Sequence, residues 1–381
     1  MMEFWFWFLV FICFYGYAGY PLLLALIAPF CSKYRQLPQQ TDNGPTVSIL
    51  VPAFNEAGHI RVKLDSLLNQ NYPADRFNVW VLNDGSQDNT AEIVKSYQDP
   101  RIHLLDLPRG GKATALNQGV SASDNEVIVF SDADNEWTPD TLMRLVAPFT
   151  IPAIGAVSGR LAIRTDTRHL GLGDLLYRKF EAFIRQSETR LGSAVSADGG
   201  IFAIRRELYD PIPQDVTDDF YISTGAISKG KALVFQASAI AYDDGVEKAE
   251  NQLRRRVRVT VRGMTSLWRR RALFNPLRFG IYSLCLLSHK LVRRFVPFFA
   301  LFLLPVNFSI IGAHGFYLTL FWLQLLFYVA AVAGLLDQGR HLPKPFSMAG
   351  FLLLSSYGLG SGIVQFLMGK RFTFWSPEQN R

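Results

Sequence analysis

Asp132 and Asp134 stand two residues apart, directly after the apolar run Val127–Ser131. A run of β-branched and aromatic residues predicts a buried strand, and carboxylates at i and i+2 beyond it project to the same side. Their oxygens suit one hard divalent cation that is also bound to a phosphate. The same triplet is typical of a solvated turn, so the metal-site hypothesis depends on the residues around it.

Three more polar clusters follow apolar runs earlier in the chain. They are Pro52-Ala53-Phe54-Asn55-Glu56, Asn83-Asp84-Gly85-Ser86 and Arg109-Gly110-Gly111-Lys112. The apolar runs at 47–51, 79–82 and 102–105 predict strands, and helical patterns follow at about 57–69, 88–97 and 112–122. This alternation predicts a mostly parallel, Rossmann-like α/β sheet covered on both faces. The carboxyl ends of its strands would meet at one ligand-binding crevice.

Each cluster has a chemical use in binding a nucleoside diphosphate. The carboxylate of Asp84 can accept a hydrogen bond from the imide N–H of a uracil ring. The Gly110-Gly111 backbone lets an anion approach closely, and Lys112 supplies a positive charge for phosphates. A metal bound by Asp132 and Asp134 would neutralise a departing nucleotide.

Apolar segments flank this block on both sides. Phe4–Phe30 carries no charge and is long enough to cross a bilayer core of about 30 Å. Three further spans are predicted near Phe295–Ala313, Phe316–Leu336 and Phe346–Met368. Basic residues on either side of the central block place it in the cytoplasm, so we expect an integral protein of the cell membrane.

The formal net charge of +7 comes largely from nine arginines between positions 254 and 278. These arginines precede a predicted span and no nucleic-acid-binding motif accompanies them, so we assign them to membrane lipids and expect no nucleic-acid partner. Basic, aromatic-rich patterns at Leu172–Leu191 and Val261–Phe274 predict amphipathic helices at the membrane surface. The alternative is that both helices pack on the soluble sheet. The oligomeric state is not encoded in these patterns.

The motif order VPAFNE, NDGS, GGKATALNQG and SDAD resembles the family 2 inverting glycosyltransferases of the A-type fold. It most resembles their membrane-embedded branch, which includes the cellulose, hyaluronan, chitin and poly-N-acetylglucosamine synthases. The resemblance extends over nearly the whole chain and implies a nucleotide-sugar donor, in particular a UDP-sugar, with Mg²⁺ or Mn²⁺ on Asp134 and Asp132. The donor-binding residues that it implies here are Pro52, Glu56, Asp84, Lys112 and Asp132.

Two later motifs resemble the acceptor half of the same family. Asp198 and Gly199, within SADGG, correspond to the acceptor pocket, although a glycine turn before a strand has the same pattern. Thr217-Asp218-Asp219-Phe220 resembles the family's T-E-D or G-D-D motif, which makes Asp219 the general base and Asp218 an acceptor-side residue. A base is needed because an acceptor hydroxyl is a poor nucleophile until its proton is removed. The alternative is that these aspartates cap a helix at 218–228.

Gln252 and Arg255 match the family's Q-x-x-R-W motif, which implies donor binding. Arg256 stands where the family has tryptophan, a residue that helps bind the nucleotide and the end of a growing polymer. This departure leaves the transfer chemistry in place and weakens the case for a polymer product.

We therefore expect four regions: a membrane helix at 1–32, a cytoplasmic glycosyltransferase domain at 44–250, an arginine-rich interfacial segment at 251–292 and about three membrane helices at 293–370. The expected reaction is transfer to a saccharide or lipid-linked hydroxyl at the cytoplasmic face, in exopolysaccharide synthesis. One alternative is a single transfer to a lipid such as a polyprenyl phosphate or a glycolipid. Another is an inactive nucleotide-binding membrane subunit.

Four crossings would put both chain ends outside the cell. Lys370 and Arg371 would then lie on the side where positive charge is disfavoured. A tilted or re-entrant last segment would remove the conflict.

Overall fold

The structure, a computed structural model, describes residues 1–41, 44–163, 172–243, 249–337 and 341–373, without the side chains of 163, 172–176 and 249–252. A single sheet forms the centre of the water-soluble part. Its strands are β1 (Val47–Ala53), β2 (Phe77–Asp84), β3 (Ile102–Leu107), β4 (Val127–Ser131), β5 (Asn135–Trp137), β6 (Ile154–Ile163), β7 (Ile201–Arg205) and β8 (Ala232–Asp243).

The strand order in the sheet is β3-β2-β1-β4-β7-β6-β8-β5. The pairs β1–β2, β1–β4, β2–β3 and β6–β8 are parallel, which confirms the predicted mostly parallel sheet. The pairs β4–β7, β6–β7 and β5–β8 are antiparallel, and the sequence did not predict this mixed half. β1 and β4 are buried along their whole length, as expected for central strands.

Short helices cover the sheet on both faces. They are α3 (Ile60–Leu68), α4 (Thr90–Lys95), α5 (Lys112–Ala122), α6 (Thr141–Val146) and α8 (Asp218–Ser228), following α1 (Met2–Phe14) and α2 (Tyr20–Ile27). One apolar cluster includes Ile49, Val129 and Leu64 on the α3 face. A second includes Leu50 and Leu116 on the α5 face and continues to Leu286 near the membrane helices.

Long helices connect the sheet with the apolar segments. They are α7 (Leu172–Leu191), α9 (Ala249–Arg269), α10 (Pro276–Phe279), α11 (Ile281–Leu286), α12 (Arg293–Phe308), α13 (Gly315–Asp337) and α14 (Lys344–Leu367). The described residues contain four helical runs long and apolar enough to cross a membrane: Met2–Phe30, Ile281–Phe308, Gly315–Asp337 and Lys344–Leu367. Three lie where hydropathy predicted them, and the second, Ile281–Phe308, begins 14 residues before the predicted span near Phe295–Ala313.

Of the two basic amphipathic helices, α7 contacts the sheet and α9 contacts the last apolar helix. In α7, the hydroxyl of Thr189 accepts a hydrogen bond from the backbone N–H of Phe235 in β8 (2.9 Å). In α9, Thr260 lies against Gly362 of α14, where an added Cβ would be 2.5 Å from the threonine Cβ. A glycine is therefore required there for the two helices to approach. Both helices lie at the junction of the sheet with the candidate membrane spans.

The chain beyond α14 returns to the soluble part. The Nε of Arg371 is 3.9 Å from a carboxylate oxygen of Asp215. The carbonyl oxygen of Thr373 lies 3.7 Å from the position that a Cβ on Gly111 would occupy. The last helix therefore ends beside the crevice at the strand ends, so Lys370 and Arg371 lie on the same side as the sheet.

Candidate active site

Hydrogen bonds join the loops that follow β1 and β2. The backbone N–H of Asn55 donates to the Ser86 hydroxyl (3.0 Å), and the N–H of Gln87 donates to the Asn55 side-chain oxygen (2.8 Å). Asn55 adopts a φ of +56°, a conformation that asparagine tolerates better than most residues. The N–H of Glu56 donates to the Thr90 hydroxyl at 2.9 Å. The first two polar clusters are thus brought together, with Pro52 at the end of β1.

The buried carboxylate of Asp84 joins the second cluster to the third. It accepts hydrogen bonds from the backbone N–H groups of Gly110 (2.7 Å) and Gly111 (3.0 Å), and it forms an ion pair with Arg109. The Arg109 guanidinium lies 3.5 Å from the centre of the Phe54 ring. These two N–H groups and the Arg109 guanidinium hold the Asp84 carboxylate in one orientation. A nucleobase that binds there would therefore contact an ordered carboxylate. Base recognition by Asp84 stays a prediction.

Lys112 connects a residue predicted to bind the donor with one predicted to lie on the acceptor side. Its Nζ is 2.8 Å from a carboxylate oxygen of Asp132 and 2.8 Å from one of Asp218. Burial disfavours the ammonium, but these two carboxylates outweigh it and raise the pKa of Lys112. Burial likewise opposes ionisation of Asp218, and the charges of Lys112 and Arg262 overcome it, so the pKa of Asp218 is lowered.

Asp134 lies exposed at the mouth of the crevice. Its pKa is raised to about 6, and partial desolvation is the larger cause. Repulsion from the carboxylates of Asp132, Asp243 and Glu56 adds to the effect. Asp243, at the end of β8, was missed by the sequence reasoning. In the sequence we looked for polar residues at the ends of apolar runs. Asp243 meets that criterion, because it ends the apolar strand β8.

The carboxylates of Asp132 and Asp134 fit a divalent cation. Within the described ranges, no three His, Cys, Asp or Glu side chains are arranged to bind one metal ion together. Mg²⁺-type sites often use one or two carboxylates and complete their shell with water and substrate phosphates. The concentration of negative charge that raises the pKa of Asp134 is what such a cation would offset.

Lys63 lies beneath these aspartates and was not predicted. Its buried Nζ donates to the Ser131 hydroxyl (2.6 Å) and to the Asn135 side-chain oxygen (2.7 Å). Burial lowers the pKa of Lys63 to about 7, against the opposing effect of Asp132 and Asp134. The lysine fixes both ends of the turn that carries the aspartates. No sequence signal pointed to it, since a lysine in a helical pattern is normally solvated.

Asp219 and Gly199, both predicted to lie on the acceptor side, are neighbours. A Cβ on Gly199 would be 3.7 Å from the Cβ of Asp219. Asp198 forms an ion pair with Arg185 of α7 at 2.7 Å. Burial, then the charge of Asp218, raises the pKa of Asp219, while a backbone hydrogen bond from Phe220 and the charges of Lys290 and Lys112 oppose the rise. A carboxylate with a raised pKa is a stronger base.

The segment that resembles Q-x-x-R-W lies in α9. The side chain of Gln252 is outside the described residues, and Arg255 is exposed. The guanidinium of Arg256 lies 4.9 Å from the centre of the Phe351 ring in α14. The position where the family has tryptophan therefore contacts the last apolar helix. Donor binding by Gln252 and Arg255 stays a prediction.

A group of charged residues, here called the membrane junction, links the sheet to the apolar helices. It comprises Glu181, Glu188, His289, Lys290, Arg293 and Arg294. Glu188 is fully buried and accepts hydrogen bonds from the Tyr20 hydroxyl (2.8 Å) and the Val195 N–H (3.0 Å). The two ring nitrogens of His289 lie 2.8 Å from Glu188 and 3.2 Å from Glu181.

Comparison with known proteins gives one family match and several relatives. Residues 48–212 match the family described as glycosyl transferase family 2. Over 185 residues the chain is 31% identical to a beta-monoglucosyldiacylglycerol synthase of Trichormus variabilis, covering 46% of this chain and 40% of that protein. Over 202 residues it is 32% identical to a poly-beta-1,6-N-acetyl-D-glucosamine synthase of Staphylococcus epidermidis, covering 52% and 47%. The chain thus spans less than half the length of these relatives.

Among solved structures, the fold is similar to that of the mannosyltransferase PcManGT from Pyrobaculum calidifontis, determined in complex with GDP-Man and Mn²⁺. The TM-score is 0.73, at 24% sequence identity, and the match covers 97% of this chain and 100% of that one. The similarity therefore includes the apolar helices as well as the sheet.

Proposed function

We propose, from the glycosyl transferase family 2 domain that this chain contains, that the protein transfers a sugar from a nucleotide-sugar donor to a hydroxyl acceptor at a membrane surface. The family predicted from the motifs is confirmed, with relatives that are named as synthases of a glycolipid and of a polysaccharide. The observation that carries the proposal is the position of Lys112, 2.8 Å from both Asp132 and Asp218. One cation thereby joins the donor motif to the segment that holds Asp219.

In the proposed reaction the acceptor oxygen attacks the anomeric carbon from the face opposite the nucleotide. Asp219 takes the hydroxyl proton as the new C–O bond forms. The bond between the anomeric carbon and the phosphate oxygen breaks, and its electron pair leaves with the nucleoside diphosphate. Attack from the opposite face inverts the anomeric configuration.

The donor-side residues hold the diphosphate during this step. Lys112 lies in position to contact the phosphates once the donor displaces part of its pairing with Asp132. Asp132 and Asp134 would hold a Mg²⁺ or Mn²⁺ ion, which supplies positive charge to the leaving phosphate when bound. Lys63 keeps both aspartates in place from below. We propose UDP as the nucleotide and assign Pro52, Glu56, Asp84, Gln252 and Arg255 to donor binding.

The acceptor side is formed by Asp198, Gly199 and Asp218 around Asp219. We place this side at the cytoplasmic face of the cell membrane, because basic residues are concentrated between the sheet and the apolar helices. The proposed regions are those expected from the sequence, with the catalytic domain at 44–250.

A screen of nucleoside diphosphate release tests the proposal. The purified full-length protein is incubated with several UDP- and GDP-sugars and Mn²⁺ or Mg²⁺, with and without membrane lipid extract. We expect release from one donor, increased by the extract and abolished by a metal chelator. Binding of nucleotide without release from any donor would instead support the inactive-subunit alternative.

A single transfer to a lipid is the second candidate, and Arg256 is the observation that favours it. The residue in the place of the family tryptophan lies against Phe351 of α14. With a radiolabelled donor and isolated membranes, one added sugar in the organic phase indicates lipid glycosylation. Labelled material of increasing length in the aqueous phase indicates a polysaccharide.

A further inference from the structure

A buried hydrogen-bond network, here called the turn network, lies between the turn that carries Asp132 and Asp134 and the loop that carries Gly199. Its members are Lys63 of α3, Ser131 at the end of β4, Asn135 and Trp137 of β5, and the carbonyl oxygen of Gly200. The four side chains are at most 4% exposed, so water does not compete for these bonds.

Lys63 is the centre of the turn network. Its Nζ donates to the Ser131 hydroxyl at 2.6 Å and to the Asn135 side-chain oxygen at 2.7 Å. It also lies 4.8 Å from the centre of the Trp137 ring. Ser131 and Asn135 directly flank the triplet Asp132–Asp134. One ammonium group therefore holds both ends of the turn.

The turn network continues to the loop that was predicted to lie on the acceptor side. Both flanking residues also donate to the carbonyl oxygen of Gly200, the Ser131 hydroxyl at 3.3 Å and the Asn135 amide at 3.0 Å. Gly200 follows Gly199, and a Cβ on Gly199 would be 3.7 Å from the Cβ of Asp219. A displacement of the turn is therefore transmitted to the loop beside the proposed base.

Folding alone does not require a lysine at this position. The two hydrogen-bond acceptors of Lys63 are a hydroxyl and an amide, both uncharged, and a buried ammonium costs free energy unless an anion compensates it. The indole N–H of Trp137 already donates to the same two atoms, 3.1 Å from Ser131 and 3.2 Å from Asn135. A methionine at position 63 would thus leave both buried acceptors with a donor.

We propose that Lys63 is a positioning residue that couples the turn carrying Asp132 and Asp134 to the loop beside Asp219. This inference rests on the proposed sugar transfer and adds that one buried side chain aligns the metal ligands and the acceptor loop. A metal ion bound at the turn would then also order the loop at Gly199. Lys63 itself contacts neither donor nor acceptor in this scheme.

Two measurements without turnover test the coupling. Titration calorimetry gives the affinity for Mn²⁺ in the presence of UDP or GDP, and hydrogen–deuterium exchange of the backbone at 196–201 reports order in the loop. In the wild type we expect Mn²⁺ with nucleotide to slow exchange in this loop. Lys63→Met should fold with the stability of the wild type and bind Mn²⁺ about 10- to 100-fold more weakly. It should also abolish the slowing at a saturating Mn²⁺ concentration.

A second variant and two controls separate coupling from packing. Asn135→Ala removes a bond to Gly200 and should abolish the slowing as well. Combining it with Lys63→Met should add little, since both residues act in one network. Ile60→Val removes a buried methyl group from the same helix, and Lys95→Met removes an exposed positive charge. Both controls should keep the Mn²⁺ affinity and the loop response of the wild type.

Slowed exchange in Lys63→Met at saturating Mn²⁺ overturns the inference, because the loop then responds without the lysine. The inference is also wrong if exchange in the wild type does not respond, or if Ile60→Val loses the response through packing alone. If Lys63→Met does not fold, Asn135→Ala decides between the two outcomes by the same measurement. A loop response without release of nucleoside diphosphate from any donor contradicts the proposed sugar transfer alone.

Discussion

The donor side of the crevice and the membrane junction hold their charges in different ways. On the donor side, loops that follow neighbouring strands supply the charged groups, and Lys112 is neutralised by Asp132 and Asp218. At the membrane junction, helices far apart in the chain supply them, as in the contact between Glu188 and His289, 101 positions away. Two cations of the junction, Lys290 and Arg294, have no such partner among the described residues.

This difference indicates that the donor side pairs its charges within the crevice, whereas the junction pairs them between helices. The donor side would exchange its internal pairs for metal and diphosphate. The junction combines two glutamates around His289 with Lys290 and Arg294, which both interact electrostatically with Asp219. We therefore treat the junction as structural support for the segment that holds Asp219.

The largest effect is expected at Asp219, where the two regions meet. Asp219→Asn keeps the size of the side chain and removes the base, so we expect sugar transfer to a hydroxyl acceptor to fall about 10³-fold. Nucleotide affinity should change little. Steady-state kinetics with saturating donor measure the loss. Asp124→Asn, at a fully solvated surface position, is the matched control and should retain full activity. Unchanged transfer by Asp219→Asn would show that another group removes the proton.

Glu188 tests whether the junction is structural. Glu188→Ala leaves the Tyr20 hydroxyl, the Val195 N–H and His289 without their buried acceptor. We expect the free energy of unfolding to fall by about 3 kcal/mol, a factor of about 150 in the equilibrium. Thermal unfolding in detergent measures it.

The control for this change is Glu207→Ala, an exposed glutamate that should alter stability by about 0.5 kcal/mol or less. Nucleotide affinity of the folded Glu188→Ala protein should equal that of the wild type. If stability is unchanged but nucleotide binding is lost, the two regions are not separate in the way we describe.

Metal binding on the donor side should depend on Asp134. Asp134→Asn removes one anionic ligand and its charge, and we expect the affinity for Mn²⁺ to fall about 100-fold. Titration calorimetry with Mn²⁺ and the nucleoside diphosphate measures the change. Asp140→Asn, at a half-buried aspartate that pairs with Arg144 outside the crevice, is the control. Equal Mn²⁺ affinity in Asp134→Asn and the wild type would place the metal elsewhere.

Sequence reasoning found the donor side because the topology of a parallel sheet brings strand ends together. The predicted strands at 47–51, 79–82, 102–105 and 127–131 all lie within observed strands. The predicted start of the first helix, near 57, was three residues early. Its first turn is replaced by a loop in which the N–H groups of Glu56 and Ala57 bind Thr90 and Asp88.

The same reasoning could not reach Lys63, Lys290 or Arg294. Each is a basic residue in a helical pattern, and such residues normally face water or lipid headgroups. The burial of Lys63 and the partial burial of the other two follow from packing between segments separated by long stretches of chain, as in the bond from Lys63 to Asn135. The antiparallel pairing of β7 with β4 and β6 was missed for a similar reason, because apolar runs carry no information about strand direction.

The smallest expected effect is a dependence of metal binding on pH. It tests the donor side alone, because it depends on the ionisation of Asp134. The pKa of Asp134 is raised to about 6, by partial desolvation and then by its neighbouring carboxylates. A cation binds the ionised form, so affinity for the metal should be constant well above pH 6 and fall about tenfold per pH unit below it.

In the metal-free protein the effect of pH on stability has the opposite sign. The raised pKa stabilises the fold at low pH, and this contribution is lost as pH rises from about 4 through 6. Added Mn²⁺ should therefore stabilise the wild type at pH 7 far more than at pH 5, and Asp134→Asn should remove that difference. An unchanged pH dependence of Mn²⁺ binding in Asp134→Asn would show that another group titrates with the metal.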